Sequence, residues 1–155
     1  MQTAAAPPQP NAARRRWMAV LARASAADLA ALLDRHAVMP GYTKIRGPEA
    51  GLVMVRGRTG GGGAPFNLGE MTVTRCTVRT DAGQVGHAYV AGRDARQAEL
   101  AAVLDAMLQD PLQAFALQAN VIAPLAEVQR AHRTGIAAKA AATKVQFFAM
   151  RNMRA

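Results

Sequence analysis

Residues 60–93 read GGGGAPFNLGEMTVTRCTVRTDAGQVGHAYVAGR, and this stretch decides the fold class. Four glycines open it, and two segments rich in β-branched residues follow at positions 71–79 and 85–91. The turn residues Asp81, Ala82 and Gly83 leave only a short connection between these segments. A short connection is typical of antiparallel neighbours, because parallel strands need a long crossover. The sequence therefore predicts an antiparallel sheet in the middle of the chain.

Two shorter strands are predicted upstream, over residues 42–46 and 52–58, with a turn at residues 49–51 between them. The glycines at 60–63 lack the Lys-Ser/Thr pair of a phosphate-binding loop. We therefore interpret them as a mobile hairpin loop. Together the four consecutive strands form a small antiparallel sheet.

Alanine-rich segments with helical periodicity flank these strands. Apolar residues recur at helical spacing over residues 12–24 and again after Ser25, whose spacing from Asp28 suits a helix cap. Downstream, Asp94 and Gln97 repeat that spacing, and further helices are predicted over residues 112–119 and from 124 to about 142. The closing segment 145–150 carries two phenylalanines and is predicted to be a docking element that packs against another surface. The fold class is α+β: an N-terminal helical arm, a small antiparallel sheet and C-terminal helices covering one face.

The size and composition of the chain fit one domain. Its 155 residues are enough for an ordinary core, and we expect a disordered tail over residues 1–11 and a single domain over 12–155. Apolar residues make up 51% of the chain but aromatic residues only 5%. Much of the apolar share is alanine, which buries little surface. We therefore hypothesise that a partner surface completes the stability of the chain.

The chain is strongly basic, with a net charge of +9. Most of its cations are arginine, whose planar guanidinium binds phosphate and carboxylate groups, so the charge favours an anionic partner. The alternative is arginine usage that follows a GC-rich genome. The single cysteine, Cys76, permits no intramolecular disulfide and fits a reducing cytoplasm. No apolar run approaches the roughly 20 residues of a membrane helix, and we expect neither export nor membrane insertion.

Five arginines are candidates for binding an anion or a partner. Strand alternation places Arg56 and Arg58 on one face of their strand, and Arg75 and Arg79 on one face of theirs. If these strands are neighbours, up to four guanidinium groups share a surface. Arg93 follows beside the N-terminus of the next helix, which favours anions. A phosphate-bearing ligand is the hypothesis that follows.

Other interpretations of the same basic residues stay open at this point. One alternative is a solvated sheet face, with the arginines paired with Glu49, with Glu70 or with acidic residues of a partner. A nucleic-acid-binding module would also explain the charge. The tyrosines and phenylalanines, however, are scattered rather than interleaved with the arginines as a stacking set, which argues against it.

No catalytic centre is evident in the sequence. If the strands that carry Cys76 and His87 pair, a thiol–imidazole dyad would suit nucleophilic catalysis, although a small cysteine buried in a sheet is the commoner case. The three histidines are far apart and have no metal-like spacing, so no metal is predicted. Glu70 is the most plausible single acid–base candidate.

Short motifs spread along nearly the whole chain resemble the PhnG family. Near the N-terminus they comprise RWM at residues 16–18 and VLA at 20–22; around the strands, FNLGE at 66–70, TVTR at 72–75 and GRD at 92–94. Further on come DAM at 105–107, IAPL at 122–125 and VQFFAM at 145–150. Each piece is weakly specific, but their order and spacing together are highly specific.

The resemblance implies a subunit of the bacterial carbon–phosphorus lyase core complex, assembled with the sister subunits PhnH, PhnI and PhnJ in the cytoplasm. That complex is expected to displace adenine from ATP with an alkylphosphonate, giving an alpha-D-ribose 1-alkylphosphonate 5-triphosphate. ATP would then be a substrate of the complex, and no cofactor is expected on this chain. The resemblance supplies no catalytic residue for this subunit, so we expect the isolated chain to be inactive. A purely scaffolding subunit without substrate contact is the alternative.

Overall fold

The computed structural model describes residues 11–58 and 63–145. It has three layers: an antiparallel sheet, one buried helix packed on it, and an outer layer of helices. The α+β class predicted from the sequence is confirmed. The elements in chain order are α1 (Ala12–Leu21), α2 (Ala26–His36), β1 (Tyr42–Gly57), β2 (Phe66–Thr80), β3 (Val85–Ala91), α3 (Ala95–Met107), α4 (Pro111–Leu117), a π-helical turn (Gln118–Ile122) and α5 (Ala123–Ala142).

Within the described residues the sheet has three strands in the order β1-β2-β3, where the sequence predicted four. The turn predicted at residues 49–51 is wrong, because β1 continues through it as one strand paired with β2. Register shifts on either side of Arg46 absorb extra residues as a bulge. Gly47 lies there at φ 68, and a Cβ on it would approach the carbonyl oxygen of Arg75 to 2.6 Å. Gly47 and Pro48 therefore serve the bulge.

The buried helix α3 is the centre of the core. The sequence predicted one apolar stripe on it, but every residue from Leu100 to Met107 is buried, because α3 has the sheet on one side and the outer helices on the other. Small residues permit this close packing. A Cβ on Gly86 of β3 would lie 2.6 Å from the backbone nitrogen of Ala106 and would also collide with the carbonyl oxygen of Ala102. Glycine at position 86 is thus set by the approach of helix to strand.

The helix boundaries follow the predicted caps. Ser25 Oγ accepts a hydrogen bond from the backbone N–H of Asp28 at 3.1 Å, and the Asp94 carboxylate accepts one from the N–H of Gln97 at 2.9 Å. Each contact satisfies an N–H that the helix itself cannot pair. Helix α1 ends at Leu21, three residues before the predicted end, while α5 ends at the predicted position. No helix in residues 11–58 or 63–145 is long and apolar enough to span a membrane.

Strands β1 and β2 extend well past β3, which pairs only with the stretch of β2 from Val73 to Arg79. We call the projecting two-stranded part, residues 52–57 and 66–72, the hairpin arm. Strand β2 begins five residues before its predicted start, so the arm is longer than the sequence indicated. The predictions for the tail at 1–10, for glycines 60–62 and for the closing segment 146–150 lie outside the described residues.

Candidate functional site

The sheet face opposite α3 carries two of the five arginines that the sequence singled out, Arg75 and Arg79. Alternation along β2 turns Cys76 and Val78 towards the helices and leaves Arg75 and Arg79 on the other side, exposed. The neighbouring strands add residues in register with them. We call this surface the open face; its polar members are Thr43, Arg46, Glu49, Arg75, Thr77, Arg79, His87 and Tyr89.

A single carboxylate bridges two guanidinium groups at the centre of the open face. Glu49 Oε1 accepts a hydrogen bond from Arg75 Nε at 2.6 Å and another from Arg46 Nε at 2.5 Å. The hydrogen bonds from Arg46 and then from Arg75 lower the pKa of the Glu49 carboxyl. All three groups are exposed, so water and salt screen the pairs and they contribute little stability. The structure contains the pairing of Arg75 with Glu49 that the solvated-face interpretation named.

Arg79 lies four residues further along β2, roughly 13 Å from Arg75 at the rise of a β-strand. It is exposed, and across the strands it faces Thr43 and Val85. Among the described residues no carboxylate forms an ion pair with it. Arg79 is therefore the more available of the two β2 arginines for an external anion.

The structure separates the other predicted arginines from this pair. Arg56 is in register with Asn67, eight residues along β2 from Arg75, or roughly 26 Å away. Arg58 follows the end of β1 and has no strand partner. The hypothesis that four guanidinium groups share one surface is therefore wrong, although β1 and β2 are neighbours as supposed. The sequence pattern gave the pairing of the strands but not their register.

Arg93 lies where predicted, in the connection between β3 and α3, next to the first turn of the helix. The adjacent Gly92 donates its N–H to the carbonyl oxygen of Thr72 at 2.9 Å, which places this connection at the base of the hairpin arm. The helix N-terminus is already capped by the Asp94 carboxylate. An anion bound there would have to compete with that carboxylate, so Arg93 is the weaker candidate.

The thiol–imidazole dyad is excluded by the sheet geometry. Cys76 is opposite Ala88 and points into the core, with 1% of its surface exposed, whereas His87 is opposite Thr77 and lies on the open face. Burial, reinforced by the negative charge of Glu99, raises the pKa of the Cys76 thiol. A protonated, enclosed thiol is a poor nucleophile. Cys76 is a core residue.

One buried polar cluster was missed by the sequence reading. Asp105 on α3 has no exposed surface, yet four donors reach its carboxylate. Arg14 donates through Nη2 at 2.6 Å and Nε at 3.1 Å, Trp17 through Nε1 at 2.8 Å, and the backbone N–H of His87 at 2.9 Å. These bonds tie α1, α3 and the outer edge of β3 together. The signal was present in the sequence, because a lone aspartate inside an apolar stripe needs a cationic partner.

A second polar cluster sits where α3 meets β1. The Tyr42 hydroxyl donates to Glu99 Oε1 at 2.7 Å, and Lys44 Nζ lies 3.0 Å from the same oxygen. Burial, together with the hydrogen bond to Glu99, raises the pKa of Tyr42 to about 12. The hydrogen bond from Tyr42 is in turn the main cause that lowers the pKa of Glu99. The cluster stabilises the packing of α3 on β1, and Lys44, whose side chain is 46% exposed, is its accessible member.

Taken together, the open face can bind an anion, and it also holds an exposed contact between Thr77 Oγ1 and His87 Nδ1 at 3.1 Å. In the part of the chain that the structure describes, no three His, Cys, Asp or Glu side chains converge as metal ligands. Exposed guanidinium groups suit phosphate, phosphonate or carboxylate. The fold and its candidate site thus define a basic α+β binding domain.

Comparison with known proteins identifies the domain. Residues 12–152 match the family described as phosphonate metabolism protein PhnG. The chain is also 45% identical over 139 residues to the alpha-D-ribose 1-methylphosphonate 5-triphosphate synthase subunit PhnG of Rhizobium meliloti (strain 1021). That alignment covers 90% of this chain and 88% of the relative. The chain belongs to the PhnG family, as its sequence motifs indicated.

Proposed function

We propose that this chain is a subunit of an alpha-D-ribose 1-methylphosphonate 5-triphosphate synthase, acting in phosphonate catabolism as part of the carbon–phosphorus lyase core complex. The observation that carries the proposal is the 45% identity to a subunit of that name over 90% of the chain. The sister subunits would be PhnH, PhnI and PhnJ, in the cytoplasm. The reaction would displace adenine from ATP with an alkylphosphonate.

Within that complex the chain binds and positions rather than reacts. Its open face offers exposed cations, and the resemblance supplies no catalytic residue for this subunit, which together support a non-catalytic role. Both the triphosphate and the phosphonate of this reaction are polyanions, and arginine forms charge-assisted hydrogen bonds with such groups. We assign Arg75 and Arg79 to contact with an anionic substrate. Arg56, Arg58 and Arg93 remain candidates for contact with a partner.

The test is alanine substitution in the complex reconstituted from all four subunits. Arg79→Ala and Arg75→Ala are each assayed for adenine release from ATP in the presence of methylphosphonate, and for assembly by native mass measurement. A charge-assisted hydrogen bond contributes about 1.5–3 kcal/mol, so loss of a substrate contact lowers turnover roughly tenfold or more with assembly intact. Arg130→Ala is the matched control, because Arg130 is exposed and pairs with Glu127 on α5, away from the sheet.

Each other outcome separates the alternatives. Lost assembly in the Arg75 or Arg79 variants moves these residues to a subunit interface and favours the scaffolding role. Unchanged turnover and unchanged assembly remove the substrate contact altogether. Failure of the wild-type chain to join its sister subunits overturns the proposed function itself. A salt-sensitive shift of the chain with DNA or RNA would instead support the nucleic-acid-binding alternative.

A further inference from the structure

The hairpin arm exposes a large amount of apolar surface. Leu52 is 63% exposed, Leu68 59% and Met54 51%, and Phe66 and Met71 are also open to solvent. These five residues lie within the two strands of the arm, beyond the stretch of β2 that β3 covers. Contiguous apolar surface of this kind marks interaction sites on soluble proteins.

Both faces of the arm are apolar. The register pairs Leu52 with Thr72 and Met54 with Glu70, which places Leu52 and Met54 on the face that continues the helix side of the sheet. Val53, which pairs with Met71, lies on the opposite face, as do Val55 and Phe66. An antiparallel hairpin with one solvated face normally alternates between apolar and polar residues. In this hairpin, by contrast, both faces carry apolar side chains.

Among residues 11–58 and 63–145, no further strand pairs with the outer edges of the arm. Strand β1 is an edge of the sheet, and β2 becomes a second edge beyond Val73, where β3 ends. A two-stranded hairpin alone is marginally stable in water, and exposed edges are usually shielded. A binding partner can cover the apolar faces and can also pair with an edge strand.

We infer that the hairpin arm inserts into an apolar cleft, rimmed by carboxylates, on another subunit of the synthase complex; this rests on the proposed function. Charge selects that occupant over a second copy of the chain. The arm carries Arg56, and Arg58 directly follows it, against one acid, Glu70, and a second copy would bring another chain of net charge +9. Like charges oppose such self-association, while carboxylates at the rim of a cleft attract the arm.

The experiment uses the co-expressed complex and a double variant, Leu52→Gln with Met54→Gln. Both side chains are more than half exposed, so the variant keeps the fold and its far-ultraviolet circular dichroism. Replacing apolar anchors at an interface weakens binding, so we expect the amount of this chain retained in the purified complex to fall by more than about tenfold. The matched control is Leu112→Gln with Val128→Gln, two residues that are 91% and 69% exposed on α4 and α5. The control chain is retained like the wild type.

A second measurement locates the contact directly. A photo-cross-linking benzophenone amino acid placed at position 54 forms a cross-link to a sister subunit, and the same group at position 112 does not. Normal retention of the arm variant, or the absence of a cross-link from position 54, overturns the inference about the arm. In that case the wild-type chain still assembles into the complex, so the proposed function stands. A wild-type chain that dimerises alone, with dimers that the arm variant dissolves, also overturns it, since the occupant is then a second copy. If the wild-type chain joins no complex at all, both fall together.

Discussion

Replacing the Asp105 side chain, and with it the buried carboxylate, by the methyl group of alanine is expected to be the most damaging polar substitution at the interface between the helices and the sheet. Asp105→Ala leaves the Arg14 guanidinium, the Trp17 indole N–H and the backbone N–H of His87 without their common acceptor. Removing one partner of a buried ion pair costs about 3–5 kcal/mol. The Arg14 side chain is 27% exposed and recovers some water, so the lower end of that range, about 3 kcal/mol, is expected.

That loss is a large share of the total stability of a domain, which is roughly 5–15 kcal/mol. With a urea dependence of about 2 kcal/mol per molar, the unfolding midpoint falls by about 1.5 M. Trp17 is the single tryptophan of the chain and touches the substituted residue, so its fluorescence reports the transition, with circular dichroism as a second probe. Trp17→Phe removes one of the donors and costs less, about 1.5 kcal/mol.

The control is Asp34→Ala, which removes an exposed aspartate from α2. Substitutions at such surface positions usually change stability by no more than about 0.5 kcal/mol. A midpoint for Asp105→Ala that matches the one for Asp34→Ala would refute the reasoning, because the four hydrogen bonds would then contribute nothing net. A double-mutant cycle with Arg14→Ala isolates the pair: a coupling energy near zero would mean that the two groups act independently.

Three further predictions concern stability and reactivity. Gly86→Ala forces a Cβ into the backbone of α3 at Ala106 and lowers the unfolding free energy by about 1–3 kcal/mol; an unchanged urea midpoint would show that α3 shifts without cost. The Cys76 thiol stays inert to a thiol-modifying reagent in the native chain and reacts in denaturant, because burial raises its pKa; equal rates in both states would contradict this. Since the pKa of Tyr42 rises from 10.0 unfolded to about 12 folded, its contribution is complete below pH 10 and is lost as the pH rises towards 12. Tyr42→Phe should flatten the alkaline fall in unfolding free energy, and identical pH profiles for the two proteins would count against the Glu99 contact.

The sequence predicted those features of the fold that depend on local pattern. The caps at Ser25 and Asp94 follow from side chains that reach the next turn of their own helix, and β3 follows from its β-branched run between turn residues. Prediction from the sequence failed where contacts between distant parts of the chain determine the structure. The turn predicted at residues 49–51 is instead continuous strand, because β2 pairs with β1 on both sides of the bulge at Gly47 and Pro48.

The candidate site shows the same division. Alternation correctly put Arg75 and Arg79 on one face, because side-chain direction is local to a strand. The bridge from Arg75 to Glu49 spans two strands and a bulge, so it depends on a register that no local pattern gives. Asp105 required the opposite inference, that an acid within an apolar stripe must have a partner elsewhere in the chain.

The two sides of the sheet divide stability from binding. On the helix side the buried carboxylate of Asp105 accepts four hydrogen bonds from within the chain. On the same side, Gly86 lets α3 pack directly against the backbone of β3. The open face has the reverse character, because Arg75 shares one exposed carboxylate with Arg46 and Arg79 faces water without a carboxylate partner among the described residues. Substitutions on the helix side should therefore act through folding, and those on the open face and the hairpin arm through what the chain binds.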